Sequence, residues 1–135
     1  MSIRNKRPKH IQYYISKSVL FPIFSNQGNY APYMTIPIIL SKKEIHARIK
    51  ELEGWTVDKN KLRKEFSFND FMDGLNFIVK LAPFFEENDH HPDIHILYNK
   101  IIFELQRFDI GGKITDKDFI TAKEIQTEYN KRNSF

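Results

Sequence analysis

Between residues 86 and 100 the chain sets two adjacent histidines, His90 and His91, among the carboxylates Glu86, Asp89 and Asp93. Imidazole is the side chain that exchanges protons near neutral pH, so this cluster has the makings of an acid/base site. Pro92 fixes its own φ and biases His91 toward an extended backbone, so a helix arriving from the N-terminal side must end near the pair. The histidines then occupy a helix-to-strand junction, where rigid elements on both sides can hold side chains over a pocket. The competing reading is a polar loop with hydrated histidines, and a bare His-His-Pro does not separate the two.

No metal is expected at this cluster. Pro92 disfavours the helical spacing that would bring His91 and His95 together, and no ligand set has recognised zinc spacing. His95 reads as a solvent-facing strand residue and His46 as a partly exposed helix residue. Cysteine is absent, which excludes disulfides, thiolate nucleophiles and zinc-cysteine sites. No apolar run reaches membrane-spanning length, so a soluble chain is expected. At 135 residues it is most simply one domain with a real core.

The net charge of +4 looks like a nucleic-acid signal until it is located along the chain. Residues 1–40 hold Arg4, Lys6, Arg7, Lys9 and Lys17 and no acid, which leaves 16 basic against 17 acidic residues in the rest. A basic binding patch would have to live in this arm, and a nucleic-acid-binding fold is not expected. Broken by Pro8, Pro22, Gly28, Pro32 and Pro37, residues 1–39 read as an irregular basic extension. Three origins fit it: a transit peptide, a surface-wrapping tail, or an upstream stretch before a start at Met34. The cytoplasm is the default compartment, with organellar targeting by residues 1–33 as the alternative.

Regular signals begin at Ser41, which forms a capping box with Glu44 ahead of Ile45, Ile49 and Leu52; the spacing predicts a helix over 42–53, stopped by Gly54. Residues 55–57 and 62–68 flank the polar turn Asp58-Lys59-Asn60-Lys61 and predict a hairpin. Asn69 is the predicted cap of a second helix with Phe71, Leu75, Ile78, Ala82 and Phe85 as its buried face, loosening or kinking at Pro83. Asp93 to Tyr98 and Ile101 to Phe108 alternate around an Asn99-Lys100 turn and predict a second hairpin. Thr115 and Asp118 open a last helix with Phe119, Ala122, Ile125 and Tyr129 inward. The order α-β-β-α-β-β-α describes an α+β domain over 40–131, a four-stranded antiparallel sheet with three helices on one face, followed by a tail over 132–135.

Glu86, three residues, His90-His91-Pro92, five residues, Tyr98 and a later Asp118 together resemble the signature of the pterin-4a-carbinolamine dehydratase family. The likeness extends to Gly54-Trp55, Phe66-Ser67-Phe68, Asp93-Ile94, Tyr98-Asn99-Lys100, Asp109-Ile110-Gly111-Gly112 and Thr115-Asp116-Lys117-Asp118-Phe119, covering roughly residues 40–130. The resemblance implies dehydration of 4a-hydroxytetrahydrobiopterin to quinonoid dihydropterin and water in tetrahydrobiopterin recycling, with no cofactor, pterin being the substrate. It further implies a homodimer or homotetramer. The chemistry follows from hydroxide being a poor leaving group: an acid protonates the 4a oxygen while a base takes a ring-nitrogen proton.

Carried over by position, His90 and His91 are the acid/base residues, and Glu86, Asp93 and Phe108 lie on the substrate-binding side. Pro92, Tyr98 and Asp118 complete the motif. Asp118 is already explained as the acid of a capping box, and Tyr98 as a residue packed on the sheet. The departure is Phe108, which stands where the family carries a third histidine or a tryptophan. Phenylalanine stacks on a ring but neither exchanges a proton nor donates a hydrogen bond. If that imidazole is the main acid, activity is weakened or lost; if it positions the pterin, a slower dehydratase survives. Lys113 reads as an extra residue, and Pro83 and Phe85 stand where small or aliphatic residues are usual. The alternative function is therefore a non-catalytic relative, an assembly factor or dimerising partner of another protein.

Overall fold

The computed structural model describes residues 36–133. The expected basic extension therefore falls almost wholly outside the described residues. The elements are α1 (Lys42–Ile49), β1 (Thr56–Asp58), β2 (Lys61–Ser67), α2 (Phe71–Glu87), β3 (Asp93–Leu97), β4 (Lys100–Leu105) and α3 (Asp116–Arg132), with a short 3-10 turn at Phe108–Ile110. The α+β order read from the sequence is the one observed. The strands form one antiparallel sheet in the order β1-β2-β4-β3.

Period-two alternation divides the two sheet faces. Leu62 and Phe66 of β2 and Ile101, Phe103 and Leu105 of β4 are buried with Phe77, Leu81 and Phe85 of α2 and Phe119, Ala122 and Ile125 of α3. Phe66 is the aromatic hub, its ring 5.9 Å from Trp55, 5.8 Å from Phe103 and 4.8 Å from Tyr129. The alternate residues carry charge: Lys61 bridges Asp93 and Glu104, Arg63 meets Glu104, and Lys100 meets Glu65. Gly74 lets α2 approach the sheet, since a Cβ there would stand 2.9 Å from Cδ1 of Ile101.

Four local details differ from the sequence reading. The first helix ends at Ile49, and the chain reaches Trp55 through tight turns in which Leu52 N–H donates to the Ile49 carbonyl and Trp55 N–H to that of Leu52. Asp70, not Asn69, caps α2, its carboxylate accepting the Asp73 N–H at 2.8 Å. The buried stripe of α2 is Gly74, Phe77, Leu81 and Phe85, while Phe71 and Ala82 are exposed. α2 also runs unbroken past Pro83 to Glu87. Pro83 and Val79, whose carbonyl loses its helical partner, both lie on the exposed face of the helix.

The second hairpin turns one residue earlier than expected, at Tyr98-Asn99, and its return strand stops at Leu105. The stretch preceding α1 is tied to the body: Leu40 N–H donates to the Ile114 carbonyl and Asp116 N–H to that of Ile38. Among the described residues no helix is long and apolar enough to cross a membrane.

Candidate active site

The end of α2 places His90. Asn88 is the C-cap, Asp89 takes the left-handed conformation at φ 47°, and two hydrogen bonds close the helix. His90 N–H donates to the Phe85 carbonyl and Asp89 N–H to that of Glu86, each at 3.1 Å. That is the pairing of a Schellman motif, in which aspartate serves in place of the usual glycine. Asn88 adds a side-chain bond to the Phe84 carbonyl at 2.8 Å. The backbone of His90 is thus fixed by the helix that precedes it, and its ring is only 3 % exposed.

That ring meets α3. Nε2 of His90 lies 2.5 Å from Oδ1 of Asp118, whose other oxygen accepts the Thr115 backbone N–H at 2.7 Å and the Thr115 hydroxyl at 3.3 Å. Asp118 is fully buried. The capping box predicted from the sequence is present, and it does not exhaust the residue: one oxygen caps α3 while the other holds an imidazole 28 positions away. With Asp118 ionised, His90 donates from Nε2, and the neutral ring keeps its lone pair on Nδ1.

His91 points outward. Its Nε2 lies 2.8 Å from Oε1 of Glu86, and both side chains are largely exposed. Glu86 and Glu87 close the last turn of α2, which holds no basic residue. Acids there oppose the helix dipole, so helix stability does not explain them. The adjacent histidines therefore have separate environments, one buried on a carboxylate and one open to water.

Phe108 stands three residues beyond β4, 65 % exposed, with the Lys61 ammonium 5.7 Å from its ring centre. Asp93 begins β3 and holds the same ammonium at 3.0 Å. Together with Glu104 it keeps Lys61 protonated above the usual lysine range. Tyr98 corrects an expectation: it sits in the β3–β4 turn at φ 55°, 69 % exposed, rather than packed on the sheet. The strand ends before it, so alternation no longer sets its direction. His95 is exposed on β3, with Nε2 3.2 Å from Glu104, and His46 is exposed on α1.

Sequence reasoning passed over Arg107, which borders the site, and the burial of Lys117. Arg107 joins the His90 turn to the Phe108 loop: Nη1 donates to the Asp89 carbonyl at 3.3 Å, while Nε and Nη2 grip Asp109 at 3.0 and 2.8 Å. The guanidinium holds the Asp109 carboxyl below the usual range. Lys117, next to Asp118, is 5 % exposed. Its signal was available in the sequence: a cation in the first turn of a helix opposes the dipole.

Comparison with known proteins assigns the family. The sequence model of the family described as Pterin 4 alpha carbinolamine dehydratase matches residues 39–128. A Sulfolobus acidocaldarius protein named "Putative pterin-4-alpha-carbinolamine dehydratase" is 43 % identical over 86 residues, 64 % of this chain and 93 % of its own. A Prochlorococcus marinus protein of the same name is 36 % identical over 95 residues, 70 % of this chain and 98 % of its own. Among solved structures, one described as a transcriptional coactivator/pterin dehydratase from Brucella melitensis has a TM-score of 0.63 at 25 % identity, covering 67 % of this chain and 98 % of that one. The chain belongs to the pterin carbinolamine dehydratase family.

Proposed function

We propose that the protein dehydrates 4a-hydroxytetrahydrobiopterin to quinonoid dihydropterin and water, by histidine acid/base catalysis in tetrahydrobiopterin recycling. The observation that carries this reading is the buried His90–Asp118 pair, built onto the end of α2 beside the Glu86–His91 pair. In the reaction the ring N–H gives up its proton, its electron pair forms the C=N bond to carbon 4a, and the C–O bond breaks. His90, oriented by Asp118, is the base that takes the ring proton through Nδ1. His91, open to water and paired with Glu86, returns that proton to solvent. The leaving oxygen still needs a donor, and Phe108 cannot be one.

The non-catalytic alternative rests mainly on Phe108, and both histidine-carboxylate pairs argue against it. A homo-oligomer, and a protein partner of the kind suggested by the coactivator description of the Brucella relative, are compatible additions rather than substitutes.

Turnover of purified protein tests the assignment. His91→Ala and His90→Gln, the second keeping an N–H donor for Asp118, are expected to lower turnover by about 10²-fold or more while each melts as a folded domain. Unchanged turnover in both removes the catalytic assignment.

A further inference from the structure

The peptide unit between Asp89 and His90 is held at both ends. Its N–H, on His90, donates to the Phe85 carbonyl at 3.1 Å, and its carbonyl, on Asp89, accepts Nη1 of Arg107 at 3.3 Å. The first bond belongs to the closure of α2, whereas the second comes from the far end of the sheet, beyond β4. Asp89 is left-handed at φ 47°, a conformation that costs a residue with a side chain and persists only where its surroundings hold it.

The same guanidinium holds the turn that carries Phe108. Nε and Nη2 of Arg107 grip Asp109, the residue after Phe108, at 3.0 and 2.8 Å. The Arg107 backbone closes the neck of that loop: its N–H donates to the Lys113 carbonyl at 2.9 Å, and its carbonyl accepts the Gly112 N–H at 2.8 Å. Gly111 and Gly112, left-handed at φ 78° and 69°, make the return possible. With its side chain only 14 % exposed and bonded on two edges, the guanidinium is a planar bracket between the two segments. A lysine has a single nitrogen and cannot present two edges at once.

We propose that Arg107 is a positioning residue for dehydration: by fixing the peptide that precedes His90 and, through Asp109, the turn that carries Phe108, it sets the base against the ring offered to the pterin. This rests on the dehydratase reading above. Arg107 acts through His90 and Phe108 rather than on the reacting atoms. A misplacement of about 1 Å between a base and its substrate is enough to cost about 10²-fold in rate, so the bracket matters more to turnover than to folding. A merely structural role would lower the melt and leave kcat of the folded protein where it was.

The test measures kcat and KM for the wild-type chain, Arg107→Lys and Asp109→Ala, each checked by its melt, together with hydrogen exchange of the His90 amide relative to that of Phe103 in the sheet. Arg107→Lys is expected to lose about tenfold or more in kcat and to speed His90 exchange relative to Phe103. Asp109→Ala frees the Phe108 turn but leaves the bond to Asp89, so KM is expected to rise with kcat lost far less than in Arg107→Lys. A folded Arg107→Lys that keeps more than about a tenth of wild-type kcat, or an unchanged exchange ratio, overturns the proposal and leaves the dehydratase reading standing. An Asp109→Ala variant that loses as much kcat as Arg107→Lys overturns it in the same way, because the bond to Asp89 would then set nothing. A wild-type chain without activity overturns both. Should Arg107→Lys fail to fold, Arg107→Gln, which keeps a planar donor for one partner, is held to the same threshold.

Discussion

Asp118 shows how one side chain can satisfy a local rule and a distant one together. The capping box with Thr115 was legible because it spans three residues, whereas the bond to His90 spans 28 and exists only once α3 lies against the end of α2. Local patterns report local bonds, so the cap was read as the whole explanation. Asp118→Asn separates the two roles. The amide oxygen can still accept the Thr115 N–H, but the amide nitrogen then faces His90 Nε2 and forces the ring proton onto Nδ1. Turnover is expected to fall by about 10²-fold with the melt little changed. Equal loss of folding and turnover would make Asp118 a helix cap only.

At the scale of elements, caps and turns were the most readable features. Ser41 with Glu44 and Thr115 with Asp118 both close their boxes, and the positive φ angles of Lys59 and Asn60 make the first hairpin turn. The phase of α2 was not readable. Its apolar residues surround much of the helix, with Phe71, Met72 and Val79 exposed opposite the buried Phe77 and Leu81, so periodicity alone cannot choose the stripe. Its start was misassigned by one residue because Asn69 and Asp70 are both good caps. Asp70→Ala is expected to cost about 1 kcal/mol and to lower the melting temperature by roughly 4–8 °C, with turnover preserved. An Asn69→Ala variant that loses more would restore the original assignment.

For the whole molecule, the outward residues of α2 and the edge strand β3 leave apolar surface exposed. Phe71, Met72, Val79, Ile96 and Leu97 are all open to solvent in the isolated chain. Exposed apolar surface and an unpaired strand edge are features that association covers, and the family resemblance implies a dimer or tetramer. Sedimentation at micromolar concentration is expected to give a homo-oligomer, and a lone species near 16.1 kDa would contradict it. The α+β order was legible throughout because each element carries its own period and its own boundary residues.

Dehydration by the wild-type chain is the most direct test of the His90–Asp118 site. The measurement is the rate of quinonoid dihydropterin formation from 4a-hydroxytetrahydrobiopterin with purified protein added against the rate without it. The expected rate rises in proportion to protein concentration and collapses in His90→Gln. A wild-type rate equal to that of the protein-free control, from folded protein, would contradict the dehydratase assignment.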